Sequence, residues 1–112
     1  MTKPIERGEL QQKLEAGAIR LAEALPARHY LDAHLPGAVH LPHDKVAEIA
    51  AEALPDKEAE IVVYCASPSC KNSHLAAEAL QKLGYSQIRV YGGGKQDWAA
   101  AGLAFESGGT TR

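Results

Sequence analysis

Ile61-Val62-Val63-Tyr64-Cys65-Ala66-Ser67-Pro68-Ser69-Cys70-Lys71 is the stretch on which the fold reading turns. Four apolar residues, three of them β-branched, read as a buried strand. The polar run after Cys65 reads as a short loop, and an amphipathic helix is expected to begin near Asn72. Free N–H groups at a helix start, with the positive end of the helix dipole, stabilise an anion. A thiol held there is expected to ionise more readily, and the thiolate is the form that attacks or carries sulfur. The stretch therefore points to sulfur or anion chemistry at Cys65.

Outward from this stretch, strand and helix signals alternate. Glu9 to Gly17 reads as a helix with Leu10 and Leu14 at helical spacing, and Ile19 with Leu21 as a half-buried strand. A helix is expected after Pro26, with Tyr30 and Leu31 turned inward, then a strand over Ala38-Val39-His40-Leu41. Asp44 to Leu54 reads as a helix capped by Asp44. The helix after the loop is expected to bury Leu75, Ala76, Ala79, Leu80 and Leu83 and to stop at Gly84. Ile88 to Tyr91 forms a last strand, followed by Gly92-Gly93-Gly94 and a helix carrying Trp98 in the core. Such alternation predicts an α/β fold, a parallel sheet flanked by helices on both faces, with sites at the carboxyl ends of its strands.

The 112 residues suffice for one domain and one core. With 12 Lys+Arg against 14 Asp+Glu and a net charge of −2, no basic stripe suggests nucleic acid. No apolar run is long enough to span a bilayer, and Met1-Thr2-Lys3-Pro4 lacks a secretory signal's apolar stretch. Two cysteines in that context read as cytoplasmic thiols. Neither a metal nor a cofactor is called for. Cys65, Cys70 and His74 do not have zinc-knuckle spacing, and Gly92-Gly93-Gly94 lacks the pattern of a phosphate loop.

Five pieces in order resemble the single-domain rhodanese-like family. They are His34-Leu35-Pro36-Gly37-Ala38, Val62-Val63-Tyr64-Cys65, Leu83-Gly84-Tyr85, Val90-Tyr91-Gly92-Gly93-Gly94 with Trp98, and Ala101-Gly102-Leu103. The resemblance implies a rhodanese-like domain over residues 1–106, with 107–112 a flexible C-terminal tail. It also implies that Cys65 is a nucleophile taking sulfane sulfur from thiosulfate or a similar donor and passing it, as a persulfide, to cyanide or a thiol acceptor. Backbone amides of Ala66, Ser67, Pro68, Ser69, Cys70 and Lys71 would form the anion-binding loop, those with an N–H pointing inward. Glu23-Ala24-Leu25 stands where many members carry Asp-Val-Arg, so the carboxylate is one methylene longer and the arginine is absent.

Around the loop several residues have two readings. Cys70 is either a small residue in a tight turn or a resolving thiol. Lys71 is a solvated charge or a point charge that attracts thiosulfate or sulfite. Asn72 and Ser73 either donate to a bound anion or start the helix as caps, while His34 is expected to make a structural hydrogen bond. Two other functions compete. One is an oxyanion enzyme of the phosphatase or arsenate-reductase kind, suggested by the spacing of Cys65 and Lys71. The other is a non-catalytic redox sensor using Cys65 and Cys70.

Overall fold

A computed structural model describes residues 2–111. The ends of the expected domain and tail, Met1 and Arg112, lie outside the described residues. Five strands form one parallel sheet in the order β1-β5-β4-β2-β3: β1 Lys3–Pro4, β2 Arg20–Glu23, β3 Val39–His40, β4 Glu60–Tyr64 and β5 Gln87–Tyr91. The helices are α1 Arg7–Glu15, α2 Ala27–Asp32, α3 Val46–Ala53, α4 Asn72–Lys82 and α5 Gly94–Ala100.

β4 is central because it can be buried on both faces. Ile61 and Val63 pack with α3 and α4 residues such as Ala50, Ala76 and Leu80. Val62 and Tyr64 point the other way, among Leu10 of α1, Tyr30 of α2 and Trp98 of α5. All four are fully buried, which is why this strand reads as a continuous apolar run rather than an alternation. α4 ends where Gly84 adopts φ +96°, and the Tyr85 N–H donates to the Leu80 carbonyl as the chain reverses.

The structure corrects several expectations. β1 has no periodic signal in two residues; it exists because Lys3 and Pro4 pair with Arg89 and Val90. Asp44 does not cap α3, which starts at Val46 with Lys45 at the cap position and no side-chain bond there. Leu31 and Leu75 are exposed rather than buried. In α4 the buried face is Ser73, Ala76, Ala77 and Leu80. At about 100° per residue, a helix that turns Ser73 inward carries Leu75 to the far side. After α5 the chain returns over α2: Glu106 and His34 exchange two backbone hydrogen bonds of 2.8 Å, and the Gly108 N–H reaches the Leu31 carbonyl at 2.8 Å.

At the amino ends of the strands, Lys13 of α1 contacts Glu60 of β4 at 2.6 Å, and Arg89 of β5 reaches Glu60 at 3.3 Å and Glu9 at 2.7 Å. The hydrogen bond from Lys13, aided by that from Arg89, holds the Glu60 carboxyl below the usual range. A depressed carboxylate contributes stability above its unfolded pKa, about 4.3 for glutamate, and loses it as pH falls through the folded value. Urea unfolding should therefore show a smaller acid-side loss of stability in Glu60→Gln than in the parent chain, with the curves differing most at neutral pH.

Candidate active site

The register of the sheet sets Glu23 beside Tyr64, and Tyr64 beside Tyr91, at the carboxyl ends of β2, β4 and β5. Cys65 is the next residue of β4's chain and is 2% exposed. Its backbone is clamped by the start of α5: the Lys95 N–H donates to the Cys65 carbonyl at 3.0 Å and the Gln96 N–H to that of Ala66 at 2.9 Å. The close approach depends on Gly94. Its φ is +61°, and a Cβ there would lie 2.5 Å from the Cys65 carbonyl oxygen.

From Cys65 the loop runs outward through Ala66, Ser67, Pro68 and Ser69, then turns back as the Cys70 N–H donates to the Ser67 carbonyl at 3.0 Å. Ser67 and Ser69 hydroxyls hydrogen-bond to each other at 3.1 Å. Ser73, in the first turn of α4, is buried and makes no cap; its hydroxyl lies 3.5 Å from the Cys65 sulfur. The Cys70 carbonyl oxygen stands 3.4 Å from the same sulfur. Lys71 is exposed and Asn72 half-buried, while His74 is exposed on α4.

Charge in this loop falls differently from the expectation. Burial pushes the Cys65 thiol up, and its hydrogen bond with the Cys70 thiol adds to this; the Ser73 hydroxyl and N–H act the other way without prevailing. Burial also opposes ionisation of Cys70, but there the bond from Cys65 and the N–H groups of Ala66 and Asn72 prevail, and its thiol falls below the ordinary value. The amides thus divide between the two sulfurs, with the Cys70 N–H spent inside the loop. Of the two thiols, Cys70 is the more readily ionised.

Glu23 has no exposed surface. One carboxylate oxygen accepts from the Tyr64 hydroxyl at 2.7 Å and from Lys95 Nζ at 3.1 Å, and Oε2 has no hydrogen-bond partner. Burial and the Glu23 charge keep the Tyr64 phenol protonated well beyond its usual range, so it remains a donor. That phenol in turn accepts from the Leu35 N–H at 3.0 Å, and Lys95 also reaches the His29 carbonyl at 2.9 Å. Lys95 of α5 therefore supplies the cation for this carboxylate, in a chain that carries Leu25 just beyond β2. Sequence reading missed it because Lys95 comes from α5; the signal available was a strand-end carboxylate that needs a cation once buried. His34 lies apart from the thiols, its Nδ1 2.8 Å from the Tyr30 carbonyl oxygen and its ring stacked on Tyr30 at 3.9 Å.

A parallel sheet wrapped on both faces, with a cysteine loop at the carboxyl end of its central strand, defines a rhodanese-like architecture. The Rhodanese-like domain family profile matches residues 6–101, and the chain belongs to that family. It is 31% identical over 104 residues to the HTH-type transcriptional regulator Rv0324 of Mycobacterium tuberculosis, covering 93% of this chain and 45% of the regulator. The chain thus spans about half that relative's length. It is 33% identical over 88 residues to thiosulfate sulfurtransferase PspE of Escherichia coli, covering 68% of this chain and 83% of PspE. Among solved structures, the BH2092 protein of Bacillus halodurans superposes with a TM-score of 0.86 at 25% identity, covering 95% of this chain and 77% of BH2092. No helix among the described residues is long and apolar enough to cross a membrane.

Removing one partner of a buried ion pair strands the other. Lys95→Met should destabilise the fold by about 3 kcal/mol, measured by urea unfolding. The double variant Lys95→Met with Glu23→Gln should recover part of that loss, since no net charge is then left buried.

Proposed function

We propose that the chain is a sulfurtransferase in which Cys65 carries sulfane sulfur from thiosulfate or a similar anionic donor to cyanide or a thiol acceptor. The observation that carries this reading is the placement of the Cys65 sulfur at the start of α4, 3.5 Å from the Ser73 hydroxyl. Kinship with the E. coli thiosulfate sulfurtransferase supports it.

In net terms the outer sulfur of thiosulfate bonds to Cys65, the donor's S–S bond breaks, and sulfite leaves with the electron pair. Cys65 is then a persulfide anion. The Ser73 hydroxyl, which accepts from the Cys65 thiol at 3.5 Å, can donate to the sulfur once the thiol proton is gone, and the Ser73 N–H can join it in stabilising the charge. An acceptor nucleophile then removes the outer sulfur and restores the thiolate. Two displacements through a covalent intermediate give ping-pong kinetics. The displacements as written use only these side chains, the donor and the acceptor.

Intact mass after exposure to thiosulfate should rise by one sulfur atom, reversibly with cyanide. Alkylation and peptide mapping of the fully loaded protein should place that atom on Cys65. Ser73→Ala should slow the loading of Cys65 by about tenfold, the worth of one hydrogen bond to a charged group. Absence of any sulfur gain, or a sulfur that maps away from Cys65, would sink this reading.

A further inference from the structure

The two thiols differ in what they face. Cys65 is 2% exposed and lies against the Ser73 hydroxyl and the Cys70 carbonyl. Cys70 is half-buried and lines an open groove of about 610 Å³ with Lys71, His74, Leu75 and Glu78. The floor of that groove includes Leu75, which is 48% exposed. The Cys70 carbonyl oxygen lies 3.4 Å from the Cys65 sulfur, so the two cysteines sit side by side in the loop.

We propose that Cys70 is the entry thiol of a two-cysteine relay: it takes sulfur from an anionic donor at the groove and hands it inward to Cys65. This rests on the sulfurtransferase reading of Cys65 and adds a second catalytic residue to it. In the first step the Cys70 thiolate attacks the donor's outer sulfur. The donor S–S bond breaks, and sulfite departs with the electron pair. Cys65 then gives its proton to the terminal sulfur of the Cys70 persulfide. As a thiolate it attacks that same sulfur, and the Cys70–sulfur bond breaks with its pair returning to Cys70. The products are a Cys65 persulfide, still carrying the proton, and the original Cys70 thiolate. No oxidant or reductant is consumed.

Three observations favour this direction over direct attack by Cys65. Exposure gives Cys70 the first encounter with solvent, and the adjacent Lys71 charge attracts an anion to the groove. The N–H groups of Ala66 and Asn72 favour ionisation of Cys70, whereas burial disfavours it at Cys65. In exchange between two thiols the more acidic one is the better leaving group, and here that is Cys70. The titratable and charged groups around Cys70 are Cys65, Lys71, His74 and Glu78.

Rapid-quench single turnover with thiosulfate, followed by alkylation and mapping, tests the order of the two thiols. In the parent chain sulfur should appear on Cys70 first and on Cys65 later. Cys65→Ser should still gain one sulfur atom, held on Cys70. Cys70→Ser and Cys70→Ala should both load Cys65 at least about tenfold more slowly near neutral pH, because the remaining thiol is mostly protonated there. The rate of sulfite release should rise with pH through a midpoint below the ordinary thiol range in the parent chain and shift upward in both Cys70 variants. The relay alone is overturned if the parent chain loads Cys65 while Cys65→Ser takes no sulfur. Unchanged rate and pH profile in both Cys70 variants would overturn it equally, as would release of sulfide with a disulfide between Cys65 and Cys70. If the parent chain gains no sulfur at all, the sulfurtransferase reading falls with it.

Discussion

A glutamate with no exposed surface, Glu23, sits at the carboxyl end of β2, and much of the site follows from the need to compensate it. An uncompensated buried carboxylate is costly, so it must be met by donors and a cation. Tyr64 meets it from β4 and Lys95 from α5. Drawing Lys95 inward brings the first turn of α5 onto the Cys65–Ala66 backbone, where Gly94 alone leaves room for the contact. The ion pair, the glycine and the two backbone hydrogen bonds are thus one mechanical unit. It fixes where the loop leaves the sheet, and therefore where the sulfur of Cys65 points.

Within that loop a compact turn places two thiols and one hydroxyl together. The Ala66 and Asn72 amides favour ionisation of Cys70, while the Cys65 thiol donates to the Ser73 hydroxyl and the Cys70 carbonyl. The result separates two properties that one reactive cysteine usually combines. Cys65 is sheltered from solvent, at 2% exposure. Cys70 is half-buried and is the more readily ionised of the two. Under the proposed relay, one loop would hold separate positions for capture and for storage of sulfur.

The main layers were legible in the chain because their signals are local. The unbroken apolar run of β4, the helical stripe and glycine stop of α4, and the strand over Ile88 to Tyr91 each reflect a period or a turn contained in a few residues. β1 was not legible, since two residues carry no period and it is defined only by its neighbour β5. Leu75 misled for the opposite reason. It fits an apolar stripe, but the helix is rotated to bury Ser73 beside Cys65.

By itself the sequence determined the alternation of strands and helices, the family, and the position of Cys65 at a strand end followed by a helix. These depend on side-chain character and spacing along the chain. Tertiary structure decided that Lys95 meets the Glu23 carboxylate, that Ser73 faces the sulfur, and that Cys70 is the more readily ionised thiol. Each of these depends on distance and desolvation between segments remote in sequence, and ionisation responds to those surroundings rather than to the order of residues.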